Sequence, residues 1–170
     1  MIRWLGFILV ISGAAATGIL MASDVKNTLK LYRQTLPALA YMKSEIEFHL
    51  TPLDKILLHL AKSQPKNIAS GFGRLHDRMQ TRPGVNLGMH ASFAFTDEKN
   101  SYPAEWKTIM TNMFHLLGKQ DVLAQIRAIE LAEQNLNAAI DRLHSEKKER
   151  CRTYRTFGFC AGLAVAVILI

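Results

Sequence analysis

Two charge-free apolar stretches, one at each end of the sequence, restrict what this chain can fold into more than any other feature. Residues 4–22, WLGFILVISGAAATGILMA, run for nineteen residues without a charge, which is about the length at which a helix crosses the hydrocarbon core of a bilayer. A cleaved signal peptide is the competing reading. Arg3 would be its basic lead, residues 4–11 its apolar core and Ala14-Ala15-Ala16 its small-residue cleavage site. The run continues past such a site through Ile19-Leu20-Met21, which favours a membrane anchor.

The second stretch closes the sequence. Its charge-free part, residues 157–170, has fourteen residues, and a helix started at Tyr154 has seventeen, about 25 Å against a bilayer core of roughly 30 Å, so it crosses with local thinning of the bilayer. A buried core helix is the alternative. The flank favours insertion, since Lys147, Lys148, Arg150, Arg152 and Arg155 precede the apolar run. Small residues recur every four positions in both segments, at Ala14, Gly18 and Ala22 and at Gly158, Gly162 and Ala166. Ridges of this kind let helix backbones approach closely, so the two segments are expected to pack as a hairpin or against another chain.

Charge sets the orientation. The formal net charge is +7, and a basic balance can serve nucleic acid, an anionic membrane surface or topology. Lys26, Lys30 and Arg33 follow the first segment and five basic residues precede the second, against a lone Arg3 on the far side. The excess of Lys and Arg puts the middle of the chain in the cytoplasm, near anionic lipid. Cys151 and Cys160 lie about 13 Å apart on one helix, too far to bridge.

Between the segments the pattern is helical throughout. Val25, Leu29, Tyr32, Leu36, Leu39, Ile46 and Leu50 form a stripe at 3/4 spacing, interrupted by Lys43. Pro37 is expected to kink or restart this helix near Thr35. Thr51 as cap and Pro52 in the first turn start a short helix that ends near Ser63-Gln64-Pro65. Ile68, Phe72, Leu75 and Met79 mark another, closed by the loop at Pro83, Gly84 and Gly88, and residues 89–95 favour a short helix. Residues 104–117 place Trp106, Ile109, Met110, Met113, Phe114 and Leu117 on one face. From about Gln120 a last helix carries Val122, Ile126, Ile129, Leu136, Ile140 and Leu143 in 4/3 alternation, with Glu133 in the remaining seam position. The fold class is therefore all-α, a membrane-anchored helical bundle. Its parts are an N-terminal transmembrane helix at 4–22, a cytoplasmic bundle at 23–153 and a C-terminal transmembrane helix at 154–170.

Catalytic and cofactor motifs are missing from the sequence. The histidines form no HxxxH or HExxH pair, Gly118-Lys119 lacks the rest of a phosphate-binding loop, and neither a nucleophile elbow nor a Cys/His motif occurs. The basic residues follow no nucleic-acid-binding motif. No metal, cofactor, catalytic residue or nucleic-acid partner is expected. The polar residues that stand out inside patterned segments are Glu45, Glu47, Gln125 and Glu133, read either as a solvated face or as contacts to a partner. At its seam position Glu133 calls for a basic partner in the bundle or in another subunit.

"EIEFHLTPL" (45–53), "LGKQDVLAQIRAIELAEQNL" (117–136), the first apolar segment and a closing segment after "YRTFG" occur in the order and at the size of the stage III sporulation protein AB family of endospore-forming bacteria, which the chain resembles. The resemblance implies a helical cytoplasmic domain similar to those of type II secretion and type IV pilus platform proteins. It also implies a place in the channel complex between mother cell and forespore, in the membrane on the mother-cell side. The implied partners are a secretion-type ATPase of the same operon, other stage III sporulation membrane proteins and the lipid bilayer, with further copies of the chain as an option. On this reading Glu45, Glu47, Gln125 and Glu133 are the partner-contact candidates, and Ala14, Gly18, Gly158 and Gly162 pack the membrane helices. A membrane-anchored hydrolase or lipid-modifying enzyme is the alternative, recognisable by a pocket that gathers His49, His59 or His115 with carboxylates.

Replacing Gly158 and Gly162 with Leu is expected to abolish crosslinking between the two apolar segments; unchanged crosslinking and assembly would sink the packing role.

Overall fold

A computed structural model describes the backbone of residues 2–96, 102–118 and 121–169 and the side chains of residues 25–96, 102–118 and 121–145. Among the described residues the chain is entirely helical. Six helices follow in order: α1 (Ile2–Phe48), α2 (Leu53–Ser63), α3 (Lys66–Thr81), α4 (Leu87–Phe95), α5 (Ala104–Leu117) and α6 (Val122–Leu169). They divide into two compact units, one of residues 1–29 with 140–170 and one of residues 30–139. Among the described residues no helix is long and apolar enough to cross a membrane. The two segments expected to cross, 4–22 and 154–170, with Ala14, Gly18, Gly158 and Gly162, lie outside the residues whose side chains are described.

Prolines set the helix starts in the 30–139 unit. Pro52, Pro65 and Pro103 stand immediately before α2, α3 and α5, each with φ near −56° and an extended ψ. In that position a proline leaves no N–H of its own unsatisfied, while its carbonyl accepts the first helical bonds, as Pro52 does from Lys55 and Ile56. The cap expected at Thr51 is thus one residue late. Thr51 instead sends its hydroxyl to Glu45 Oε2 at 2.6 Å. Asn86 caps α4 by accepting from Gly88 N at 2.9 Å, so that helix starts two residues before the expected span. Asp121 Oδ1 accepts from Ala124 N and starts α6. Pro37 does not restart α1, which runs through it to Phe48.

The core of this unit is built on aromatic rings from α3, α4, α5 and the segment before α5. Tyr102 and Trp106 stack with ring centroids 4.5 Å apart, and Phe95 meets Trp106 edge-on at 5.0 Å. Phe114 completes the group against Phe95 and Phe72. Offset and edge-on contacts of this kind add to the free energy of burial itself. α3 makes room at Gly71, where a Cβ would lie 2.8 Å from the Tyr102 hydroxyl, and that hydroxyl donates to the Asn67 carbonyl at 2.6 Å. α4 and α5 approach even more closely at Gly88, whose Cβ would fall 2.6 Å from His115 Cβ.

Two faces differ from their sequence pattern. Among the described residues of α1 and α6, those buried on α1 are Leu31, Tyr32, Thr35, Ala38, Leu39, Met42 and Ile46, whereas Leu36 is only half-buried and Leu50, beyond the helix, is 68% exposed. On α6 they are Ala128, Ile129, Ala132, Leu136, Ala139 and Ile140, while Val122 is 41% exposed. Small and polar residues carry part of both contacts, which a count of large apolar positions does not register.

Thr35 shows why. It is fully buried, its hydroxyl donates to the Leu31 carbonyl at 2.8 Å, and it accepts the Trp106 indole N–H at 2.9 Å. Removing one partner of a buried hydrogen bond leaves the other unsatisfied, whereas removing both is far milder. Thr35→Val is therefore expected to lower unfolding free energy by about 2 kcal/mol, and adding Trp106→Phe to it should cost less than the two single changes summed. Chemical denaturation of the four variants checks this; strict additivity would show that the bond does not couple α1 to α5.

Candidate functional site: a charge cluster and an apolar turn on α1

Lys43, the charge that interrupts the apolar seam of α1, meets α6 at Glu130. Lys43 Nζ on α1 donates to Glu130 Oε1 on α6 and lies in the field of Glu133 and Glu47. The hydrogen bond to Glu130 holds the Lys43 ammonium above its ordinary pKa, with smaller contributions from the charges of Glu130, Glu47 and Glu133 acting against partial burial. Glu133 is half-buried. Burial raises its carboxyl above the usual range, Lys43 opposes that and Glu130 adds to it. The ion pair in this cluster is Lys43 with Glu130, and Glu133 lies in the field of the same ammonium.

Glu45 is engaged by its own helix end. Its Oε2 accepts from the Thr51 hydroxyl at 2.6 Å, and its backbone carbonyl accepts Thr51 N at 3.1 Å. Its other oxygen lies 3.7 Å from His49 Nδ1, and its charge acts on the Tyr41 phenol. Burial and then the neighbouring Glu45 charge raise the pKa of that phenol. Tyr41 in turn stacks on His59 of α2 with centroids 4.7 Å apart. Through these contacts Glu45 ties the end of α1 to the start of α2. The turn it closes holds Leu50 at φ +50°, the left-handed region that a non-glycine residue seldom occupies. Phe48 and Leu50 project from this turn, 72% and 68% exposed.

The sequence candidates therefore have separate roles. Glu133 and Glu47 both act on Lys43, Glu47 from an exposed position. Glu45 shapes a turn. Gln125 is half-buried on α6, its backbone N–H on the Asp121 carbonyl, and is not among the groups acting on Lys43. Lys43, Glu130, Phe48 and Leu50 were not singled out as site residues from the sequence. Lys43 could have been, as the one charge in an otherwise apolar stripe.

Of the histidines that would mark a hydrolytic pocket, His49 sits beside Glu45, His59 against Tyr41, and His115 within 3.2 Å of Asn86 Oδ1. Each has a separate neighbour. Among the described residues no group of three His, Cys, Asp or Glu side chains is placed to hold a metal ion.

Burial makes ionised Glu133 unfavourable and fixes the sign of its pH dependence. A carboxyl with a raised folded pKa contributes stability that is full below its unfolded pKa and is lost as pH rises through the folded one. Glu133→Gln is accordingly expected to raise the melting temperature at neutral pH, with the gain shrinking to nothing as pH falls through the carboxylate range. A lower melting temperature at neutral pH would mean that attraction to Lys43 outweighs burial. Lys43→Ala should lower the melting temperature slightly at neutral pH, and by less in acid, where the carboxylates it faces are protonated.

The sequence model of the stage III sporulation protein AB family matches residues 3–170. Stage III sporulation protein AB of Bacillus subtilis (strain 168) is 23% identical over 179 aligned positions, which span 100% of this chain and 100% of that protein. A solved structure of stage III sporulation protein AB superposes with a TM-score of 0.62 at 19% identity, over 70% of this chain and 94% of that one. At that identity the likeness speaks for the fold.

Proposed function

Because the chain belongs to the stage III sporulation protein AB family, we propose that it is a structural platform component of a secretion-like channel complex between mother cell and forespore, and that it docks a secretion-type ATPase on the cytoplasmic side. Residues 4–22 and 154–170 anchor it in the mother-cell-side membrane beside other stage III sporulation membrane proteins. Lys26 and Lys30, both exposed, face anionic lipid near the first anchor. The role is one of placement and carries no chemistry of its own.

The observation that carries the docking part is the turn after α1. Large apolar side chains exposed in pairs on a fixed backbone suit a protein interface better than they suit water. Phe48 and Leu50 are such a pair, and Glu45 restrains their backbone through two hydrogen bonds to Thr51. Strain of the kind seen at Leu50 persists where the surroundings over-determine it, and it gathers at functional turns. A preformed turn also loses little conformational entropy on binding. Lys43, Glu47, Glu130 and Glu133 then form a polar surround on the same helices.

Phe48→Asp combined with Leu50→Asp is expected to reduce retention of the ATPase by the full-length membrane-embedded chain about tenfold or more, with helix content and melting temperature unchanged because both side chains are already exposed. Full retention by a folded double variant would remove this turn as the dock.

A further inference from the structure

A cleft of about 550 Å³ opens where α2 begins, α3 and α5 end, and the segment before α4 turns. Its size falls within the range of roughly 300–1,000 Å³ typical of ligand sites. Gly84, at φ +94°, makes the turn that carries the chain from α3 toward α4. Leu53, Met79, Val85 and Leu117 give the walls an apolar character.

Among the described residues Arg82 is the one charged side chain lining this cleft, and no carboxylate lines it. The first turn of α4 borders it at Asn86 and Leu87, where the helix dipole presents partial positive charge. His90 lines it from the same helix and is only 4% exposed. Among the described residues the side chains of Arg82 and His90 have no hydrogen-bond or ion-pair partner. An imidazole always carries at least one N–H donor, and at His90 no protein acceptor among the described residues competes with a guest for it. A cation at the rim, a helix N-terminus and an imidazole without a protein partner in the wall all favour the same guest, an anion.

We propose that this cleft docks an acidic side chain carried on an apolar segment of a partner protein. The carboxylate accepts from the Arg82 guanidinium and the His90 ring, and the flanking apolar residues of the segment lie against Leu53, Met79, Val85 and Leu117. The apolar walls make a peptide a better occupant than a free hydrated anion, which gains nothing from them. The site requires a protein partner and does not depend on that partner being an ATPase.

The test uses the full-length chain in lipid nanodiscs and follows histidine ring signals by NMR, with the His90 signal assigned from its loss in His90→Gln. The probes are an acetylated, amidated Leu-Asp-Leu tripeptide, its Leu-Asn-Leu counterpart and inorganic phosphate. The Asp peptide is expected to shift the His90 signal saturably, the Asn peptide to bind about tenfold more weakly, and Arg82→Gln to weaken the Asp peptide by about the same factor. Arg82 is exposed, so this substitution leaves the core intact, and the unmoved free His90 signal verifies that. Equal binding of the two peptides, an unshifted His90 signal, or a shift by phosphate at concentrations as low as those of the peptide would overturn the proposal.

Discussion

The 30–139 unit depends on a hydrogen bond that a purely apolar core would not contain. Trp106 brings a large apolar surface to the contact between α5 and α1, but its indole N–H cannot be buried without an acceptor. Thr35 supplies that acceptor while passing its own proton to the Leu31 carbonyl. A Val of the same shape would fill the space and leave the indole unsatisfied. Once Trp106 is fixed, Tyr102 stacks on one side of it and Phe95 meets it edge-on, which brings α4 and the segment before α5 into place. Gly71 and Gly88 answer that geometry from the backbone side, because a Cβ at either would collide with Tyr102 or His115.

Charge is handled separately, at the solvent edge of the bundle. Lys43 stands with Glu130, Glu133 and Glu47 in its field, so three carboxylates act on one ammonium and the cluster carries net negative charge. A partly exposed group of this kind contributes little to stability, since solvent screens the attraction and burial works against it. Glu45, only two residues from Glu47, serves a different purpose. It is turned inward along its own helix end to organise the turn that shows Phe48 and Leu50 to solvent. The same unit carries a second feature of opposite sign, the cleft with Arg82 at its rim and His90 buried in its wall. An apolar turn with acidic surroundings and a cleft with a basic rim give this unit two chemically distinct surfaces.

The sequence alone determined the all-helical class, the family and most helix bounds. The 3/4 spacing of residues 104–117 matches α5, and the prolines and Gly84 mark breaks that backbone chemistry enforces locally. Such features are legible because they depend on a few neighbouring residues. Tyr32, Leu39, Ile46, Ile129, Leu136 and Ile140 of the expected stripes are buried, and what the sequence could not give is which small and polar neighbours share those faces. On α1 the buried face centres on Thr35 and Met42 and not on Leu36 and Lys43, and on α6 alanines at 128, 132 and 139 do much of the packing. That choice belongs to the partners: Trp106 needs an oxygen where Thr35 stands, and Lys43 needs the carboxylates of α6. Helices read separately do not contain this information, because a buried hydrogen bond and a half-buried carboxylate acquire their energies only when the second helix arrives.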